Sequence, residues 1–170
     1  PAEVFARGVE AVMGTLHYRA DMSDEHWSRD KAQRDGQEMF RRMWALKLLP
    51  AGRGLANLGT DAMLYKGAMC LNNCQFVSTE TIEADIAVPF CDIMDGLMLG
   101  TGVGFDLRGA EHNLPVLAPV EVDESHVIED TREGWVLAVA RLLRAFRGLA
   151  TLPRHWDTSR LRRKGEPLRT

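Results

Sequence analysis

The sequence predicts an α/β fold that begins with a helical segment. Two short stretches rich in the β-branched and aromatic residues of strands, residues 74–78 and 103–107, flank a stretch with helical spacing at residues 89–98. Strands that alternate with helices along a chain are typical of α/β proteins. The first 48 residues, in contrast, show only helical spacing. With 170 residues, 45% of them apolar, the chain is long enough to bury a sizeable core.

Composition excludes several classes of protein. No run of about 18 uncharged apolar residues occurs, so no transmembrane helix is predicted. Three cysteines are too few for a secreted disulfide scaffold, and the first residues do not resemble a signal peptide, so we expect a cytoplasmic protein without membrane contacts. A net charge of -3 gives no reason to expect direct nucleic-acid binding.

Residues 1–48 are predicted to form the helical segment. Phe40, Trp44 and Leu48 recur four residues apart, and Ser23 or Asp24 is available as an N-cap. The glycine-rich stretch that starts at residue 50 ends this helix and predicts loops and short elements up to residue 70.

Two further helices are predicted from their start signals. Pro89 suits a first helical position, because a proline there loses no helical hydrogen bond. Asp130 and Glu133 have the spacing of a capping box, in which the first residue caps the helix and the second reaches back. The apolar face of the helix that follows runs from Trp135 to Leu149.

Few residues point to chemistry by local pattern alone. The five histidines lie apart from one another and from the cysteines, so no metal site is predicted. The glycines at 100, 102 and 104 follow a helix and open a strand, which is the reverse of a dinucleotide-binding loop. They indicate either a tight turn with close packing or a loop whose bare backbone a nucleotide approaches.

The cysteines support different interpretations. Cys91 lies on the apolar face of its predicted helix and is expected to be an inert core thiol. Cys70 and Cys74 are one residue further apart than a Cys-x-x-Cys motif, and no second pair completes a zinc site. Cys74 begins a strand beside two amide side chains, and by pattern alone it fits a core role and a functional role equally well.

Five segments of the chain form an ordered set of motifs: Pro-Ala-Gly-Arg at 50–53, Leu-Asn-Asn-Cys-Gln-Phe-Val at 71–77, Val-Pro-Phe at 88–90, Gly-Val-Gly-Phe at 102–105 and Asp-Thr-Arg-Glu-Gly-Trp-Val-Leu at 130–137. In this order they resemble the adenosylcobalamin-dependent (class II) ribonucleotide reductases, above all the monomeric ribonucleoside-triphosphate reductase type. Each segment alone is weak evidence for this family, whereas the five segments in this order are specific to it.

The resemblance implies a ten-stranded α/β barrel made of two five-stranded halves and preceded by helices. Residues 1–48 would be the helical N-terminal segment, and residues 49–170 would begin the first half-barrel without completing it. On this interpretation the chain is an N-terminal fragment that is inactive by itself.

The resemblance also implies a reaction. In this family a thiyl radical removes hydrogen from the ribose 3′ carbon, the 2′ hydroxyl leaves as water, and a cysteine pair becomes a disulfide. Cys74 matches the first member of that pair. The expected cofactor is adenosylcobalamin, with most of its contacts outside this chain, and a thioredoxin-like or other dithiol reductant would restore the cysteines.

Binding residues are implied in the same way. The positions that match those lining the substrate's phosphate and ribose are Ala51, Gly52, Asn73 and Gly102. Ala51 stands where a hydroxyl residue is common, which leaves only main-chain contact there. The segment that resembles the binding site of a deoxynucleotide effector consists of Ala87, Val88, Pro89, Phe90, Cys91, Asp92, Ile93, Met94, Asp95, Gly96, Leu97 and Met98. The region between residues 107 and 130 is shorter than in the best-known monomeric enzymes, which build part of their effector site from an insertion there.

Two alternatives remain open at this point. One is a fragment of a class I large subunit, which takes its radical from a partner protein instead of cobalamin. The other is a non-catalytic nucleotide-binding or regulatory module that retains the half-barrel without the chemistry.

Overall fold

The computed structural model describes residues 1–166, which divide into two compact units. The first unit ends at Asn72 and the second begins at Asn73. The helices of the first unit are α1 (Ala2–Met22), α2 (Arg29–Trp44), α3 (Gly52–Asn57) and α4 (Asp61–Lys66). The elements of the second unit are β1 (Cys74–Val77), α5 (Ala87–Met98), β2 (Gly102–Phe105), β3 (Glu121–Val127), α6 (Arg132–Ala145) and β4 (Leu152–Asp157). Short 3-10 turns occupy Ala68–Leu71, Glu80–Glu83 and Arg108–His112.

In the first unit, α1 and α2 pack against each other, with a glycine where they meet. Gly36 on α2 is buried, and a Cβ built on it would lie 3.4 Å from Cγ1 of Val9 on α1. A glycine inside a helix costs about 1 kcal/mol relative to alanine, and at this van der Waals distance the packing would also admit an alanine. The rings of Phe5 and Trp44 meet edge-on with centroids 6.4 Å apart, and Met43 is fully buried.

The N-cap of α2 is Ser28, so the prediction of Ser23 or Asp24 was wrong. The Ser28 hydroxyl accepts a hydrogen bond from the amide of Lys31 at 3.3 Å. Ser23 instead follows the last residue of α1, and Asp24 has a left-handed backbone with φ 58°. The first 48 residues are helical as predicted, but they form two helices with a connector between them.

Arg7 holds α3 against α1. Its Nε donates to the carbonyl of Leu58 at 2.9 Å, and its Nη2 donates to the carbonyl of Leu55 at 2.7 Å. The last carbonyls of a helix have no partner within the helix, so these two hydrogen bonds satisfy groups that α3 cannot satisfy itself.

In the second unit, β1 and β2 form a parallel pair that α5 connects. Cys74 is opposite Gly102, and Val77 is opposite Phe105. Parallel neighbours need a crossover connection, and α5 supplies it while packing on both strands. The two predicted strands are therefore confirmed, although β2 begins and ends slightly earlier than the sequence indicates.

Helix α5 begins two residues before its predicted start at Pro89. Pro89 occupies the third helical position and is fully buried. A proline is tolerated there because the first four N–H groups of a helix have no acceptor within it.

A second parallel pair, β3 and β4 with α6 between them, follows the first. The residue pattern does not predict either strand. In β3, Glu121, Asp123 and Glu124 break any apolar alternation, and β4 contains Pro153, which usually argues against a strand interior. Pro153 nevertheless pairs with Val122 and is buried.

The N-cap of α6 is Thr131, and the predicted capping box of Asp130 and Glu133 was wrong. The Thr131 hydroxyl accepts a hydrogen bond from the amide of Gly134 at 3.0 Å. Asp130 instead pairs with Arg162 at 3.1 Å, a contact made from beyond β4 that local sequence cannot show. Glu133 pairs with Arg132 rather than reaching back over the cap.

Helices α5 and α6 run antiparallel, with an ion pair at each end. Arg132 at the start of α6 lies 3.1 Å from Asp95 near the end of α5. Arg144 near the end of α6 lies 2.6 Å from Asp85, which stands just before α5. These pairs and the packing between the helices join the first parallel pair to the second.

Candidate functional site

The thiol of Cys74 lies on an open face of the first parallel pair. Cys74 is the first residue of β1 and is exposed. Side chains alternate between the two faces of a strand, so Cys74 shares its face with Phe76, which is 63% exposed. Gln75 lies on the other face, which α5 covers. The strand therefore presents Cys74 away from the covering helix.

Gly102 keeps the space beside this thiol free. It stands opposite Cys74 in the register, and its amide donates to the carbonyl of Asn73 at 2.9 Å. A Cβ built on Gly102 would lie 3.9 Å from the sulfur of Cys74 and 3.6 Å from the carbonyl oxygen of Asn73. An alanine would fit in that space, whereas a larger side chain would cover the thiol.

The structure brings together three of the five residues expected to handle the substrate. Asn73, Cys74 and Gly102 are neighbours at the start of the parallel pair, and all three are exposed. The other two, Ala51 and Gly52, lie in the first unit. Both are exposed at the beginning of α3, and no heavy atom lies within 4 Å of a Cβ built on Gly52.

The twelve residues of the expected effector segment coincide with α5, but they do not share one environment. Ala87, Pro89 and Gly96 are buried in the packing of the second unit. Phe90 and Leu97 are exposed at 42% and 55%. Only the exposed side of α5 is available to a ligand.

The other two thiols are in protected places. Cys70 is buried with 2% exposure. Cys91 is half-buried against α6, where its sulfur lies 3.7 Å from the carbonyl oxygen of Val136. Burial raises the pKa of the Cys91 thiol, which disfavours the reactive thiolate. This placement fits the inert thiol that the sequence predicts.

A carboxylate that no sequence pattern predicts, that of Asp106, fastens the other end of the same parallel pair. Asp106 accepts hydrogen bonds from the hydroxyl of Ser78 at 2.9 Å and from the amide and hydroxyl of Thr79 at 2.9 and 2.8 Å. These donors, with the amide of Thr79 contributing most, lower the pKa of Asp106 to about 2. The sequence did not reveal this contact, because the predicted strands 74–78 and 103–107 include Ser78 and Asp106, whereas in the structure both residues directly follow their strands.

Residues 1–166 hold neither a metal-binding cluster nor a helix that could span a membrane. In that range, histidine, cysteine, aspartate and glutamate side chains form no group of three that could hold a metal ion. None of the helices described there is long and apolar enough to cross a membrane.

Sequence comparison identifies relatives across nearly the whole chain. Residues 2–60 match the family described as ribonucleotide reductase alpha domain. An adenosylcobalamin-dependent ribonucleoside-triphosphate reductase of Euglena gracilis is 43% identical over 99% of this chain and 24% of its own length. A probable reductase of the same description from Dictyostelium discoideum is 36% identical over 93% of this chain and 23% of its own length.

Structure comparison gives the same fold. The crystal structure of a B12-dependent (class II) ribonucleotide reductase superposes with a TM-score of 0.74 at 23% identity. The superposition covers 97% of this chain and 30% of that one. The helical segment and the parallel pairs therefore have the fold of the corresponding part of that enzyme, as the sequence predicts.

These matches agree in family and in order along the chain. The chain spans about a quarter of the length of the curated relatives it matches. In sequence and in fold the chain resembles the ribonucleotide reductases, and the relatives that it matches are named adenosylcobalamin-dependent ribonucleoside-triphosphate reductases.

Proposed function

We propose that this chain carries part of the active site of a ribonucleoside-triphosphate reductase that makes deoxyribonucleotides for DNA synthesis. Cys74 is the first member of its redox-active cysteine pair. The observation that supports this most is the placement of the Cys74 thiol, which is exposed on the open face of β1 with Gly102 leaving free space beside it. A reductant cysteine must meet both a sugar and a partner thiol, and this placement allows both.

Cys74 is one of two thiols that supply the electrons and protons for the reduction. A thiyl radical takes the 3′ hydrogen of the ribose and returns it at the end, so it is not consumed. The 2′ hydroxyl leaves with a proton as water. Cys74 and its partner together give up two electrons and two protons and become a disulfide. A thioredoxin-like or other dithiol reductant then reduces that disulfide by exchange.

The substrate would be held by main-chain groups more than by side chains. Ala51 and Gly52 offer exposed amides at the start of α3, and Gly102 brings bare backbone next to the thiol. Amides of this kind donate to anionic phosphate or to ribose oxygens. Asn73 adds a side-chain amide at the same end of β1. By the resemblance to the family, we propose each of Ala51, Gly52, Asn73 and Gly102 as a substrate-binding residue.

Adenosylcobalamin is the proposed cofactor, by the names of the relatives. Gly102 and Gly104 carry no side chain on the open face, so that face leaves room for a large group near Cys74. When bound, adenosylcobalamin would supply the radical that starts the reaction. We assign none of its contacts to this chain and propose that most of them lie in segments that the relatives have in addition.

We also propose how the enzyme is regulated and which part of it this chain forms. The exposed side of α5 would contribute to binding a deoxynucleotide effector that sets substrate choice. Residues 1–48 would be the helical lead-in, and residues 49–170 would begin the barrel. The enzyme would act in the cytoplasm, and this chain by itself would be inactive, because a reductase needs the partner cysteine and the radical-bearing cysteine.

The test is replacement of Cys74 in the full-length gene product. We expect Cys74→Ser to abolish multiple turnover with an external dithiol, because serine cannot form the disulfide. The measurement is deoxynucleotide formed per enzyme over many turnovers, with adenosylcobalamin present.

Cys91→Ser is the matched control for this experiment. Cys91 is a second cysteine of the same unit, held against α6, and its replacement should preserve turnover and at most lower stability. Undiminished multiple turnover by Cys74→Ser would contradict the redox role. Absence of activity in the unmodified full-length protein would instead favour a non-catalytic nucleotide-binding module.

A further inference from the structure

Gln75 fastens β1 to the helix behind it. Its side chain lies on the face of the strand opposite to Cys74, against α5. There its Nε2 donates a hydrogen bond to the carbonyl of Asp92 at 3.0 Å. The residue that follows the thiol is thus tied directly to the crossover helix.

Gly96 makes the space that this amide occupies. A Cβ built on Gly96 would lie 2.2 Å from Nε2 and 2.6 Å from Cδ of Gln75. Both distances are far below van der Waals contact, so any side chain at position 96 must displace the amide of Gln75. Gly96 is itself buried, which leaves the helix little freedom to move away.

The oxygen of the Gln75 side-chain amide makes no hydrogen bond, within the described part of the chain, that would favour a glutamine at this position. Within residues 1–166, Oε1 of Gln75 is buried and has no hydrogen-bond partner. A buried acceptor without a donor is unfavourable, and such groups call for an explanation other than stability. An apolar side chain of equal length would fill the same space without this penalty.

We propose that Gln75 is a positioning residue for Cys74. Its contact with Gly96 and its hydrogen bond to Asp92 set the spacing between β1 and α5, and so they set where the thiol stands beside Gly102. Strand β1 has only four residues, so displacement of the second residue moves the first with it. This inference rests on the proposed redox role of Cys74.

The first test is Gly96→Ala in the full-length gene product, which forces the amide of Gln75 out of its place. Two quantities are measured: the alkylation rate of Cys74 in the folded protein by peptide mapping, and kcat and KM with a dithiol reductant. We expect the alkylation rate to change at least about threefold and kcat to fall about 10- to 100-fold with KM nearly unchanged, as for a misplaced reacting group.

A second pair of variants separates positioning from mere packing. In Gln75→Ala/Gly96→Ala the clash is gone, so both quantities should lie closer to those of the unmodified protein than in Gly96→Ala alone, a non-additive result.

Gln75→Met keeps the side-chain length and removes only the hydrogen bonding. It should fold, and it should also change the alkylation rate of Cys74.

Gly14→Ala is the control, because Gly14 is an exposed helical glycine and no heavy atom lies within 4 Å of a Cβ built on it. It should leave all these quantities unchanged. Positioning is overturned if Gly96→Ala and Gln75→Met both leave alkylation and kcat within about twofold of the unmodified protein, whatever happens to the melting temperature. Failure of the redox role gives a different result, since Cys74→Ser would then turn over normally while the alkylation measurements still decide the role of Gln75.

Discussion

The three cysteines of the chain have different surroundings, from which we expect different reactivities. Cys70 is buried, Cys91 is pressed against the backbone of α6, and Cys74 is exposed on an open strand face. A thiol reacts as its thiolate, and the raised pKa of Cys91 works against that form. Only Cys74 combines exposure with a free space beside its sulfur.

Asp106 provides a prediction about pH at the scale of one residue. Its pKa is about 2 in the folded protein against 3.8 ordinarily, so the folded state favours the charged carboxylate. The resulting stability is fully present above about pH 4 and is lost as the pH falls towards 2. We expect Asp106→Asn to lower the urea midpoint at neutral pH, and we expect the gap between the two proteins to close in that acid range.

The measurement is urea unfolding of both proteins at a series of pH values. Asp123→Asn is the control, because the Asp123 side chain is 79% exposed and its nearest cations are 3.8 Å away. A gap between Asp106→Asn and the unmodified protein that stays constant from pH 7 to acid would contradict this account.

At the scale of an element, α6 depends on its N-cap. The Thr131 hydroxyl satisfies the amide of Gly134, one of the N–H groups that the first turn leaves without a partner. We expect Thr131→Ala to lower the free energy of unfolding by about 1 kcal/mol. Thr131→Ser keeps the hydroxyl and should cost much less in the same denaturation experiment. Equal losses from the two variants would argue that Thr131 does not act as a cap.

The antiparallel helices α5 and α6 give a second prediction at this scale. Arg144 donates three hydrogen bonds to the carboxylate of Asp85, which lowers the pKa of Asp85. Asp85 also accepts from the amide of Ala87 at the start of α5. Asp85→Asn keeps an acceptor for that amide and removes the charge, so we expect a lower urea midpoint.

The salt dependence of the urea midpoint separates the loss of the Asp85–Arg144 ion pair from other effects of Asp85→Asn. The loss caused by Asp85→Asn should shrink in 1 M salt, where the screening length is only about 3 Å. Glu38→Gln, which removes ion pairs on the exposed face of α2, is the control and should change the midpoint less. A loss for Asp85→Asn that is independent of salt would mean that packing, not charge, joins the helices.

At the scale of the whole molecule, the second unit repeats one arrangement. Each half is a parallel pair with a helix between its strands, and the helices pack on each other. Parallel sheets are normally covered on both faces. Within the described residues the face of Cys74 and Phe76 carries no such cover, and this is the face on which the proposed chemistry takes place.

Much of this organisation was predictable from local patterns. The strand that begins at Cys74, the crossover helix after it and the glycine-led strand follow from residue spacing, and they are confirmed. The caps of α2 and α6 and the strands β3 and β4 were not predictable in this way. Asp130 forms an ion pair with Arg162, and Pro153 is paired with Val122 of the neighbouring strand. Both contacts join residues about 30 positions apart, so local patterns do not show them.

The candidate site also has features that the sequence predicted and features that only the tertiary structure shows. The order of motifs along the chain indicated the resemblance to ribonucleotide reductases and made Cys74 the candidate, because such motifs are contiguous in sequence. Only the tertiary structure decided that Gly102 stands opposite that thiol, that Gln75 and Gly96 interlock behind it, and that Asp106 fastens the far end of the strands. These are contacts between residues some 20 or more positions apart, and their existence depends on register and packing, which a linear pattern does not contain.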